Sequence, residues 1–75
     1  MASIIDRAAA VLAGEVDVLA ERAGKTAQCC ELLLPDSVSA ARAAEALAAA
    51  GLAVQQLGQF SSFGFPVVGA ALPNL

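Results

Sequence analysis

The thirty residues that follow Glu45 contain no ionisable side chain, and no other feature of this 75-residue chain restricts its folding so much. A segment that long and that neutral has to be covered, by the rest of the chain or by something else. All three phenylalanines lie in it, at Phe60, Phe63 and Phe65, and the chain has no Trp or Tyr. Gly58, Gly64, Pro66, Gly69 and Pro73 break it up, which makes it a poor match to the roughly 20 apolar residues of a spanning helix.

Size sharpens the question of what covers this segment. A domain this small withdraws only about 60% of its unfolded surface from water. Below roughly 70–80 residues a core usually needs a disulfide framework, a metal or a partner chain. There is no His, and the two cysteines are adjacent, so metal and disulfide staples are both unexpected. Hydrophobic residues reach 59% and charged residues only 15%, against about 45–50% and about 25% in ordinary globular domains. A partner chain is therefore the expected staple, although alanine, which contributes little area, supplies much of the excess.

Residues 3–23 read as a helix with Ser3 as cap and Gly24 as stop. Ile5, Ala9, Leu12, Val16, Leu19 and Ala23 recur at 4, 3, 4, 3, 4, the spacing of a heptad seam. A second stripe, Ile4, Val11 and Val18, runs at sevens. Gly14 falls inside this helix at a cost of about 1 kcal/mol relative to Ala. After a polar hinge at Gly24 to Ala27, "QCCELLLP" reads as a buried strand with Cys30, Leu32 and Leu34 on one face and Cys29, Glu31 and Leu33 on the other. Asp36 or Ser37 caps a second helix that Gly51 ends, with Ala40, Ala43, Ala44 and Leu47 inward and Arg42 and Glu45 outward.

"LAVQQL" resumes as a strand, and a connection of this length suits a parallel crossover. The run from Gln28 to Leu57 has the shape of half a ferredoxin-like unit, a superfold shared by many unrelated functions, and no family is recognised from it. "VQQLGQF" and "FGFPVV" read as a hairpin around Ser61-Ser62, with Pro66 relegating the second arm to an edge or bulged position. The expected fold is α+β: a heptad-patterned helix in residues 1–24, then a β-α-β-β module in residues 28–75. Together they form one domain, with helices packed on a three-stranded sheet.

Little in the chain points to catalysis. Cys29 and Cys30 are adjacent, lack C-x-x-C spacing and have Lys25 as the nearest cation, so two unreactive reduced thiols on opposite strand faces are expected. Glu15, Asp17 and Glu21 lie close to Arg22 and Lys25 and read as a solvated charged face. The five serines have no histidine to activate one. The four basic residues are scattered and the net charge is −3, which argues against nucleic acid as a partner.

Asp6 and Arg7 interrupt the N-terminal apolar stretch, so no signal peptide is expected. The expected location is cytoplasmic or within an assembled particle. The resulting expectation is a non-enzymatic structural or assembly subunit, without cofactor or metal, that packs into a homo- or hetero-oligomer such as part of a virion, tail, filament or shell. Its interface would draw on Ile5, Leu12, Val16, Leu19, Phe60, Phe63 and Phe65. A regulatory adaptor binding one protein partner is the alternative. A peripheral membrane protein using the uncharged tail comes third, since basic flanking residues are lacking.

Overall fold

The computed structural model describes residues 3–59 and 64–73. The fold is α+β: helix α1 (Ile4–Leu12), strands β1 (Ala20–Ala23) and β2 (Cys29–Leu33), helix α2 (Ser37–Ala49), and strands β3 (Ala53–Gln59) and β4 (Pro66–Ala71). The strands form one antiparallel sheet in the order β1-β2-β4-β3. Because β2 and β3 are each antiparallel to β4, they run parallel to each other with β4 between them. The expected crossover is thus present in direction, and the last strand fills the gap it leaves.

The N-terminal region departs from the expected long helix. Ser3 does cap α1, its hydroxyl accepting from the Asp6 amide at 3.2 Å. The helix then stops after nine residues, at Leu12. Gly14 is the cause: its φ is +79°, the left-handed conformation that a glycine just past a helix end supplies at no steric cost. Beyond it, Glu15, Val16, Asp17 and Val18 alternate polar with β-branched residues, a strand-like period of two. The chain enters the sheet as β1, with Ala20 opposite Leu33 and Ala23 opposite Cys30. The sheet therefore has four strands, and the heptad spacing beyond Leu12 never lies on a helix.

The remaining elements follow their sequence signals more closely. Asp36 caps α2, accepting from the Ser39 amide at 2.7 Å. The helix ends in a paired-carbonyl arrangement, with Gly51 N–H donating to Ala48 O at 3.0 Å and Leu52 N–H to Leu47 O at 3.1 Å. Cys30, Leu32 and Leu34 are buried while Cys29, Glu31 and Leu33 are half-buried on the opposite face. Pro66 does not push its strand to an edge. It occupies the first position of β4, where the missing amide costs least, and β4 is central. The bulge lies in the partner strand, between Gln56 and Gly58.

Both helices cover one face of the sheet, α2 lying over β3 and β4 and α1 over β1, β2 and β4. Ile4, Ala8 and Leu12 of α1 meet Ala40, Ala43 and Leu47 of α2 above Cys30, Leu32, Val68 and Ala70 of the sheet. The three inward alanines let the helices settle close to the strands. Leu12 is 1% exposed and Leu47 is fully buried within this one chain.

Two outcomes follow. Leu12→Ala should cost about 2–5 kcal/mol, comparable to the whole stability of a domain this size. Circular dichroism should then show an unfolded or nearly unfolded chain, whereas a folded variant of lower mass would mean that Leu12 serves an interface. The Asp36 carboxyl is held below the usual carboxylate range by the Ser39 amide and hydroxyl. A depressed folded-state pKa gives stability that is present above the unfolded value and is lost as pH falls through the folded one. Asp36→Ala should thus lower the thermal midpoint at neutral pH, and its difference from the parent should shrink in acid. A constant difference across that range would refute the charged cap.

Candidate functional site

The two helices leave the other face of the sheet uncovered among the described residues. Strand alternation assigns its side chains: Ala20 and Arg22 from β1, Cys29, Glu31 and Leu33 from β2, Val67, Gly69 and Ala71 from β4, and Ala53, Gln55 and Leu57 from β3. An antiparallel sheet with one solvated face ordinarily turns polar residues outward. This one carries mostly aliphatic and small residues there. Val67 is 5% exposed yet stands apart from the cluster beneath the helices.

Gly69 shapes the centre of the face. Leu57 leans across it, so that a Cβ placed on Gly69 would come within 3.3 Å of the leucine Cδ1. A cleft of about 620 Å³ runs over this region, lined by Lys25, Cys29, Glu31, Gln55, Leu57 and Gly69 among others. A smaller hollow of about 160 Å³ lies beside it, between Ala20, Arg22, Glu31, Leu33 and Val67. Arg22 and Glu31 stand directly opposite each other and form an ion pair across β1 and β2. Such a cross-strand pair contributes roughly 0.2–1 kcal/mol and neutralises the two charges that the described strands place on the face, Lys25 lying at its rim.

The expected hinge at Gly24 to Ala27 is the loop of the β1–β2 hairpin. Gly24 N–H donates to the Cys29 carbonyl at 2.9 Å and closes it. No side chain fits at Gly24, because a Cβ would lie 2.6 Å from Cys29 Sγ and 3.1 Å from the Cys29 carbonyl group. The tight turn carries Thr26 back over Cys29. The Thr26 amide donates to Sγ at 3.4 Å, and the Thr26 hydroxyl lies 3.3 Å from the sulfur. These contacts pull the Cys29 thiol below its ordinary pKa, whereas burial pushes Cys30 up. The sequence shows no cation to activate Cys29. The lowering comes instead from a hydroxyl and an amide that become neighbours only when the hairpin closes.

The cysteines are both free and lie on opposite strand faces. Of the proposed interface residues, Leu12 lies in the chain's own core and Ile5 packs half-buried at its margin. Val16 also packs against the core, from the segment between α1 and β1, and Leu19 in the same segment is 48% exposed. Phe65 is half-buried immediately before β4. Phe60 and Phe63, with the Ser61-Ser62 turn, lie outside the described residues. The structure thus does not gather the heptad positions into one surface. The helix-free face went unrecognised because its residues come from four strands, one of them hidden inside an apparent helix.

Among the described residues, no group of three or more His, Cys, Asp or Glu side chains is placed to hold a metal ion, and no helix is long and apolar enough to cross a membrane. No family model matches the chain, and neither a curated protein nor a solved structure matches it.

The hairpin geometry predicts two distinct thiols. Iodoacetamide should modify Cys29 in the folded protein and reach Cys30 only on unfolding. The Cys29 rate should rise at lower pH than that of an ordinary thiol, because the thiolate is the nucleophile. Thr26→Val should shift that profile upward by removing the hydroxyl. Equal rates at both thiols would contradict this account.

Proposed function

We propose that this chain is a non-enzymatic assembly subunit that acts by packing the helix-free face of its sheet against another protein chain, in the first instance a second copy of itself. One observation carries the reading. The face turned away from the helices carries half-buried Leu33, Leu57 and Ala71 and exposed Ala53 around the buried Val67, where a solvated antiparallel sheet normally carries polar side chains. Aliphatic side chains grouped on an outward sheet face are the raw material of interaction sites.

The electrostatics suit self-association. The chain carries net charge −3, yet the central part of this face is neutral, since Arg22 and Glu31 are paired with each other. Two such faces can meet without like-charge repulsion. Small size adds to the case, because a 75-residue chain gains more from covering a second apolar layer than a larger domain would.

Leu33 tests the reading, being half-buried on this face and outside the helix-side core. Light scattering across a dilution series should give a mass above the 7.5 kDa protomer at high concentration. Leu33→Glu should reduce it to the protomer mass while the circular dichroism spectrum stays folded. A folded variant with the parent's mass would remove the face from the assembly.

A further inference from the structure

We draw no further inference here: the strongest candidate, the Cys29 thiol held against Thr26 in the cleft over the helix-free face of the sheet, is a lone cysteine with no second observation in the structure that points to a ligand.

Discussion

The rest of the structure depends on the pairing of β4 with two strands at once. Its residues Val67 to Ala71 face Leu33 to Cys29 on one side, and Ala71 to Val68 face Ala53 to Gln56 on the other. Without β4, β2 and β3 would be parallel strands held apart, β2 with one row of backbone groups unmet and β3 with both. Two further bonds prolong the β2–β4 junction, Leu34 N–H to Pro66 O at 3.0 Å and Leu72 N–H to Gln28 O at 2.9 Å. The same strand supplies Val68 and Ala70 to the layer beneath the helices and Val67 and Gly69 to the opposite face. It therefore joins the internal core to the outer surface.

The neutrality of the C-terminal region has its physical explanation here. Of the two central strands, β2 carries one charge, Glu31, held by Arg22 from the neighbouring edge strand. The other, β4, lies between β2, whose charge is thus already paired, and the uncharged β3. β4 contains Pro, Val, Gly and Ala alone. The charges of the N-terminal half are used where solvent reaches them: Glu21 and Arg22 on the far edge, and Arg42 and Glu45 on the outside of α2. The polarity gradient along the chain thus parallels a gradient in position across the sheet, with the exposed edge strand β3 as its exception.

Much of this was legible in the sequence, and what was missed has specific causes. α2 could be read because Asp36, the inward alanines, Leu47 and Gly51 all indicate the same helix. The two faces of β2 could be read because alternation over five residues allows only one assignment. The N-terminal half could not, because two periodicities overlap there. The 4, 3 spacing from Ile5 to Ala23 competes with the alternation from Glu15 to Val18, and Gly14 decides between them by ending the helix. Pro66 misled for a different reason, since its restriction applies to the interior of a central strand and is harmless at the first residue. The apolar face was the hardest to see. Leu33, Leu57 and Val67 have no sequence pattern in common, and their association depends on a strand order that places β4 between β2 and β3. The Thr26–Cys29 contact was hidden similarly, by a turn that no charge pattern announces.

The position of β4 also bears on how the chain acquires its fold during synthesis. The six elements are made in the order of the sequence, so the strand that joins the sheet emerges last. A nascent chain that has reached β3 holds two helices and three strands, yet only the β1–β2 hairpin can form its ladder. Its first helix has no completed sheet to rest on. Closing the sheet means bringing Ala71 back to Cys29, a long-range contact of the kind that slows folding. Until then the apolar sides of β2, β3 and α2 are all open to water and to neighbouring nascent chains. The order of synthesis thus leaves these apolar sides without their central strand until the last element is made.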